Sequence, residues 1–222
     1  MVTFAANMKK LHVKMDAAAI AAMPVVTFGG RIVVVETEDA ASRAVDRLLR
    51  ESALGIDTET RPTFRKGETR KVSLLQVATD DDCYLLRLNK IGVSPSVLRL
   101  LTAKDVTLVG LSLVDDLMRL HHDADFEPGH FVDLQKEIAC FGIEDRGLRK
   151  MYANFFGERI SKREQLSNWE ARQLSERQQQ YAAIDAWACL RLYNEFQRLW
   201  ESGDYEVEAP PCPEDEKSPS AK

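Results

Sequence analysis

The pattern of apolar and polar positions divides the chain into a first half that contains strands and a second half that is mainly helical. Short runs rich in β-branched residues predict five strands, at residues 31–38, 53–58, 71–79, 83–88 and 106–111. Apolar residues spaced three or four apart predict helices, at residues 16–23, 39–51, 94–101, 113–121, 147–156 and 170–200. The turn at residues 80–82 is too short for a crossover, so the strands that it joins should be antiparallel. The pattern indicates one α/β domain, a mixed five-stranded sheet flanked by helices.

The two ends of the chain differ from this domain, which we predict over residues 31–205. Residues 1–30 are predicted to form an N-terminal extension with a short helix that Asp16 caps and Pro24 ends. Residues 206–222 contain four prolines, five acidic residues and two lysines. Such a segment has little apolar surface to bury, so we predict a disordered acidic tail.

Composition and charge exclude several classes of protein. Of the 222 residues, 45% are hydrophobic and 29% are charged, as is usual for globular proteins. The net charge of -5 argues against holding nucleic acid through bulk charge alone, but it allows an enzyme whose metal ions supply positive charge. Four isolated cysteines without a CxxC pair argue against a zinc cluster. No apolar run approaches the ~20 residues of a membrane span, and residues 17–22 are too short for a secretory signal. We therefore expect a cytoplasmic protein without a membrane partner.

The first candidate for chemistry is a pair of acids at the end of a predicted strand. Asp57 and Glu59 are two residues apart in the segment GIDTET, so their side chains share one face of a strand. Neighbouring carboxylates beside an apolar core repel each other unless a cation lies between them. Mg²⁺ prefers such oxygen ligands. The alternative is that the strand simply ends here and both acids are solvated.

Two predicted helices contribute further acids. Asp116 lies beside the buried stripe of helix 113–121, whereas Asp115 fits a capping box that begins at Ser112. Asp116 is therefore the better functional candidate, although Asp115 could take this role and either could be an ordinary surface acid. In the last helix, Tyr181 and Asp185 project from the same face. This pair could also form a hydrogen bond that closes the core.

Taken together, the acids occur along the chain in the order DxE, D and YxxxD. Two strands and two helices could bring them to one pocket, where four carboxylates would require positive charge. Two divalent ions would neutralise them, and two metal ions about 4 Å apart can clamp an in-line phosphoryl displacement.

These motifs resemble the DEDDy branch of the 3′–5′ exonucleases, the superfamily of proofreading exonucleases, ribonuclease D and the Werner-syndrome exonuclease domain. The resemblance covers residues 32–196, and its layout is similar to that of stand-alone bacterial exonuclease-domain proteins. The matching features are GIDTETRP at 55–62, KVSLLQVAT at 71–79, the spacing from Gly110 to Asp116, GL at 147–148, RISKREQLSNWE at 159–170 and QQQYAAIDAWACLRLY at 178–193. The other main branch has a histidine five residues before the last acid. Here Gln180 stands at that position, so Tyr181 indicates the tyrosine branch.

The resemblance implies a ribonuclease-H-like fold, two divalent cations (Mg²⁺ or Mn²⁺) and a role for each site residue. The implied metal ligands are Asp57, Glu59, Asp116 and Asp185. The first ion would be held by Asp57, Glu59 and Asp185, and Asp57 would also reach the second ion, which Asp116 would hold. Tyr181 would orient the attacking water. Thr60 stands where proofreading relatives contact the terminal nucleotide.

Further residues are candidates for contact with the substrate. A basic segment that follows the first motif could steer a phosphate backbone, or it could be a solvated loop; its members are Arg61, Arg65, Lys66, Arg70 and Lys71. Trp169 could stack on a base, or it could belong to the core or to the wall of the site.

The resulting hypothesis is a metal-dependent exonuclease that removes nucleoside 5′-monophosphates from the free 3′ end of DNA or RNA. One alternative is a non-catalytic nucleic-acid-binding scaffold on the same fold. Another is an endonuclease or small-nucleotide phosphodiesterase that uses the same metals. The choice between DNA and RNA stays open, because carboxylates and metal ions act on the phosphate common to both.

Overall fold

The computed structural model describes residues 8–63 and 70–208. Within these ranges the chain forms eight strands, β1 to β8, at Lys9–His12, Arg31–Val35, Ala53–Thr60, Val72–Ala78, Asp82–Leu86, Thr107–Gly110, His130–Asp133 and Tyr205–Glu208. The same ranges contain eight α-helices, α1 to α8, at Ala17–Ala22, Glu38–Leu48, Leu88–Ile91, Pro95–Leu101, Leu113–Asp123, Leu134–Glu137, Leu148–Phe156 and Glu176–Ser202. A short 3-10 helix, Ile138–Phe141, follows α6.

Six of the strands in the described ranges form one mixed sheet in the order β2-β5-β4-β3-β6-β7. β4 pairs antiparallel with both β3 and β5, whereas β2, β6 and β7 pair in parallel with their neighbours. The predicted mixed sheet flanked by helices is confirmed, and so is the antiparallel pair around residues 80–82. The predicted number of five strands is wrong. β7 is a four-residue edge strand that is only partly buried, so its sequence carries little strand signal.

Apolar side chains cover both faces of this sheet in two separate clusters. On one face, α8 packs across β3 and β4. The contact with β3 depends on Gly55, because a Cβ atom there would lie 2.0 Å from the carbonyl oxygen of Ala186 in α8. This close approach places Asp185 of α8 beside Asp57 and Glu59 of β3.

The long helix α8 begins at Glu176 rather than at the predicted residue 170. Ser175 and Gln178 form a reciprocal capping box, in which each side chain accepts a hydrogen bond from the backbone N–H of the other residue. Such a box satisfies two N–H groups that a helix start leaves unpaired, so it fixes the first turn of α8.

The ends of the described chain join the domain. The predicted N-terminal helix is present as α1, with Asp16 as its N-cap. β1 and β8 pair in parallel, and Leu11 of β1 is fully buried. The prediction of disorder from residue 206 onwards is wrong for residues 206–208, because these residues continue β8 and Val207 packs against the core. The rest of the predicted tail, residues 209–222, lies outside the described residues. No helix in the described part of the chain is long and apolar enough to span a membrane.

Candidate active site

One pocket of about 770 Å³ brings together all five residues that the motifs singled out. They are Asp57, Glu59, Asp116, Tyr181 and Asp185. Two of them lie on β3, one on α5 and two on α8. The fold therefore assembles the three motifs into a single site, although they are spread over about 130 positions of the sequence.

Three of the carboxylates form a tight group. Oxygen atoms of Asp57, Glu59 and Asp185 lie within 4.8 Å of one another. Oxygen atoms of this kind, at this separation, can approach one divalent cation together, since such ions take oxygen ligands at about 2.0–2.6 Å. The residues present therefore fit a divalent cation such as Mg²⁺.

Burial raises the pKa of each acid in this group, and repulsion from neighbouring carboxylates adds to the rise at Asp57 and Glu59. Burial is the main cause at Asp57, followed by the charges of Asp185 and Glu59. Burial also raises the pKa of Glu59 to about 8 and that of Asp185 to about 7. Since all three carboxylates cannot ionise together near neutral pH without compensation, the group favours binding of positive charge.

Asp116 approaches the pocket from α5 and is positioned by a residue of β3. The hydroxyl of Thr58 donates a 2.7 Å hydrogen bond to Asp116. Burial raises the pKa of Asp116, and this hydrogen bond opposes the shift. Asp115 is exposed and lines a neighbouring groove with Met118 and His122 instead. Of the two acids, the structure therefore brings Asp116 to the site.

The start of α5 is fixed by a residue that the sequence did not indicate. The predicted capping box at Ser112 is wrong, since Ser112 has a left-handed backbone conformation (φ 56°) and its side chain makes no capping hydrogen bond within the described structure. The carboxylate of Asp133, at the end of β7, instead accepts hydrogen bonds from the backbone N–H groups of Ser112 (3.1 Å) and Leu113 (3.2 Å). Asp133 thus anchors the first turn of the helix that carries Asp116.

Tyr181 lies between Asp185 and Trp169. Its hydroxyl donates a hydrogen bond to Asp185, and burial followed by the charge of Asp185 raises its pKa. The Trp169 ring packs behind it, with 6.0 Å between the two ring centroids. Of the two interpretations of Trp169, the structure favours the wall over base stacking, because its side chain is completely buried. Trp169 forms the wall that supports Tyr181.

The other predicted substrate contacts are placed differently. Thr60 lines the pocket. Arg61 and Lys71 lie beyond its lining and form ion pairs with Glu170 (3.1 Å) and Asp123 (2.6 Å). Of the remaining basic segment, residues 65 and 66 lie outside the described residues.

Three basic residues that the sequence reasoning missed line the pocket. Arg119 of α5 approaches Thr60, with 3.4 Å between Nη1 and Oγ1. Arg149 and Lys150 lie in the first turn of α7, and the charge of Arg149 opposes the raised pKa of Asp185. Helical spacing was the available signal, because Arg119 stands three residues after Asp116 and therefore on the same side of α5. Arg119 and Arg149 offset the negative charge of the site, whereas Lys150 is paired with Asp145 at 2.6 Å.

Comparison with known proteins places the chain in a class. The family model described as 3′–5′ exonuclease matches residues 32–201. The chain belongs to the 3′–5′ exonuclease family, as its motifs predicted.

The relatives carry this domain in different settings. The chain is 30% identical to a 3′–5′ exonuclease of Arabidopsis thaliana, over 77% of this chain and 65% of that protein. It is 29% identical to the mouse bifunctional 3′–5′ exonuclease/ATP-dependent helicase WRN, over 82% of this chain but 14% of that protein. Identity to the ribonuclease D of Xanthomonas oryzae is 28%, over 71% and 44% of the two chains. The chain thus spans less than two thirds of the length of each of these relatives.

Solved structures confirm the ribonuclease-H-like exonuclease fold. The Nibbler EXO domain of Aedes aegypti superposes with a TM-score of 0.69 at 22% identity, over 79% of this chain and 91% of that one. Escherichia coli RNase D superposes with a TM-score of 0.67 at 23% identity, over 76% and 45% of the two chains.

Proposed function

We propose that this chain is a metal-dependent 3′–5′ exonuclease that hydrolyses the terminal phosphodiester bond of DNA or RNA and releases a nucleoside 5′-monophosphate. The observation that carries this proposal is the meeting of four carboxylates and Tyr181 in one pocket. Membership of the 3′–5′ exonuclease family supports the direction of the reaction.

The proposed cofactors are two divalent cations, Mg²⁺ or Mn²⁺. Asp57, Glu59 and Asp185 would hold one of them, and Asp57 with Asp116 the other. When bound, such ions stabilise the charge that develops on the phosphate and acidify the attacking water.

The chain itself supplies orientation and charge. Tyr181, held between Trp169 and Asp185, presents its hydroxyl in the pocket as a hydrogen-bonding group that orients water. Because its pKa is raised, this hydroxyl stays protonated at neutral pH and does not act as a base in its own right. Arg119 and Arg149 face the pocket from α5 and α7, where their guanidinium groups could contact phosphates.

The proposed partner is a nucleic acid with a free 3′ end. One structure of similar fold is the complex of Trypanosoma brucei RNase D with the RNA U12, at a TM-score of 0.66 and 20% identity, over 75% of this chain and 62% of that one. The carboxylates of the pocket would act on the phosphate, which DNA and RNA share, so the proposal covers both polymers.

A single gel tests this function. The protein is incubated with Mn²⁺ and 5′-labelled single-stranded DNA, duplex DNA with a recessed 3′ end, or RNA of the same sequence. The expected result is a ladder that shortens from the 3′ end and is absent with EDTA and in the near-isosteric variant Asp57→Asn. The melting temperature of the variant shows whether it is folded.

Two results would contradict the proposal. Internal fragments would indicate an endonuclease. Intact substrates in every lane, with nucleic acid bound by the folded wild-type protein, would indicate a non-catalytic scaffold.

A further inference from the structure

A buried amide lies opposite the first acid of the DxE motif. Gln76 of β4 is directly across from Asp57 of β3 in their antiparallel pairing. Residues directly opposite each other in such a pair project from the same face, with Cβ atoms ~4.5–5.5 Å apart. Gln76 alternates with Leu74 and Ala78, which belong to the apolar cluster that α8 covers. Its side chain therefore lies on the face that carries Asp57.

The amide of Gln76 has no hydrogen-bond partner among the described residues. The residue is 0% exposed, and neither Nε2 nor Oε1 is paired. Its other cross-strand neighbour, Leu85 of β5, is apolar as well. Burying an unpaired amide in apolar surroundings lowers the free energy of unfolding. An apolar side chain of similar size would fill the same space without this loss. A glutamine at this position therefore indicates that its amide has a polar partner in the functional state of the protein.

Asp57 is the polar residue paired with it across the sheet, and its carboxylate can accept a further hydrogen bond. An ionised carboxylate offers about four acceptor positions. At Asp57, the backbone N–H of Thr58 is a hydrogen-bond donor, while Glu59, Asp116 and Asp185 surround it with like charge. A side-chain amide is neutral, so it can orient a carboxylate without competing with a cation for it.

We propose that Gln76 is a positioning residue whose Nε2 donates a hydrogen bond to Asp57 when that carboxylate holds a cation. The bond fixes the rotation of the carboxylate, so that Asp57 presents its oxygen atoms towards the cation. This inference rests on the proposed function for the presence of the metal. It concerns a residue that contacts neither the metal nor the substrate.

The test compares Gln76→Met, Gln76→Asn and the wild-type protein in three measurements. These are the Mn²⁺ dissociation constant from calorimetry, the melting temperature without metal, and kcat and KM on a 5′-labelled oligonucleotide. Gln76→Met keeps the length of the side chain without its donor, and Gln76→Asn keeps the donor on a shorter side chain. We expect both to weaken Mn²⁺ binding by about 10–100-fold, as loss of such a supporting hydrogen bond usually does.

Stability separates this role from a merely structural one. We expect kcat to fall in both variants, KM for the oligonucleotide to stay unchanged, and the metal-free melting temperature of Gln76→Met to equal or exceed that of the wild type. A structural glutamine would give the opposite order, with a lower melting temperature and unchanged metal affinity. That result would overturn the proposal.

Ser73 provides a matched control in the same strand. It is 1% exposed, its hydroxyl is also unpaired among the described residues, and it lies at the register shift between Glu59 and Thr60, outside the pairing of Gln76 with Asp57. Ser73→Ala should leave Mn²⁺ affinity and kcat unchanged, and an equal loss there would contradict a specific role for Gln76.

The two proposals fail in different ways. A wild-type protein that binds Mn²⁺ and cleaves, beside Gln76 variants that match it, would overturn the positioning role alone. A folded wild-type protein that neither binds Mn²⁺ nor cleaves would overturn the proposed function and the positioning role with it.

Discussion

The hydroxyl of Thr58 donates a 2.7 Å hydrogen bond to Asp116, and this bond connects the first acidic motif to the second. Thr58 stands between Asp57 and Glu59, so its side chain leaves β3 on the opposite face, towards α5. The two acids of the motif face α8, where Asp185 completes their group. Thr58, the middle residue of the DTE segment, thus aligns α5, the helix that carries Asp116.

Loss of this hydrogen bond should change the pH dependence of activity. The bond favours the ionised form of Asp116 and so holds its pKa down. In Thr58→Val the pKa of Asp116 should rise, and we expect kcat at pH 7 to fall by about 10-fold or more, since a hydrogen bond to a charged group contributes ~1.5–3 kcal/mol. The deficit should shrink towards pH 9, because higher pH ionises Asp116 without the donor. Thr58→Ser, which retains the hydroxyl, is the control. Profiles that stay parallel from pH 6 to pH 9 would contradict this role.

The acids of the site could be predicted because their signals are local. Spacings of two residues on a strand and four on a helix fix which side chains share a face, as at Asp57 and Glu59 or at Tyr181 and Asp185. Sequence spacing alone does not determine whether Asp115 or Asp116 faces the site. The answer depends on the rotation of α5 about its axis, which hydrogen bonds with Thr58 of β3 and with Asp133 of β7 fix.

Other features could not be predicted because they depend on pairing or burial. β7 has four residues and weak alternation, so only its pairing with β6 reveals it as a strand. The pairing of β1 with β8 joins segments nearly 200 residues apart. For Trp169, the sequence allows both a stacking surface and a wall, and only its complete burial decides between them.

Cation binding should be linked to proton release. The pKa values of Asp57, Glu59 and Asp185 are raised, so at pH 6 the group holds protons that a cation must displace. We expect the affinity for Mn²⁺ to increase from pH 6 to pH 8. Calorimetry in two buffers of different ionisation enthalpy would count the protons released. A dissociation constant that does not change with pH would be inconsistent with this linkage.

Without metal, Glu59 should destabilise the folded protein as the pH rises. Burial, then Asp185 and Asp116, raises the pKa of Glu59 from its ordinary value near 4.5 to about 8. Between these values the folded state binds more protons than the unfolded state, so the free energy of unfolding falls with increasing pH. Glu59→Gln removes this titration. The melting temperature of Glu59→Gln should therefore increase relative to that of the wild type from pH 5 to pH 8. The increase should be about 2–4 °C for each kcal/mol of difference in the free energy of unfolding.

Two comparisons check the cause of this stability difference. Excess Mn²⁺ should raise the melting temperature of the wild type more than that of Glu59→Gln. A cation stabilises a folded state that binds it, and the variant lacks one of the ligands. Glu51→Gln, at an exposed position outside the pocket, should differ from the wild type by the same amount at every pH. A Glu59→Gln difference that is equally constant would show that Glu59 does not titrate in this range.

The arginine at the start of α7 should act on the substrate. Arg149 lines the same pocket as the acids, and a phosphate contact there would contribute to the salt dependence of binding. We expect Arg149→Gln to raise KM for a single-stranded oligonucleotide several-fold. The slope of log KM against log salt should decrease by about 0.7, the value for one lost phosphate contact. Arg43→Gln, on the exposed side of α2, should change neither quantity. An unchanged slope in Arg149→Gln would rule out the contact.

Trp169 should affect catalysis through Tyr181. The buried indole packs 6.0 Å from the Tyr181 ring, so the smaller ring of Trp169→Phe would leave space behind the tyrosine. We expect a loss of about 0.5–3 kcal/mol in the free energy of unfolding. We also expect a lower kcat, because the hydroxyl of Tyr181 is then less well positioned, and an unchanged KM, because no base stacks on a buried ring.

Tyr181→Phe separates position from chemistry, because it keeps the packing with Trp169 and removes only the hydroxyl. Its melting temperature should stay close to that of the wild type, whereas kcat should fall by about 10²-fold or more. If Trp169 acts through that hydroxyl, the double variant should be no slower than Tyr181→Phe alone, since coupled residues are not additive. A Trp169→Phe protein with a raised KM and an unchanged kcat would instead mean that Trp169 contacts the nucleic acid, and that the wall opens when substrate binds.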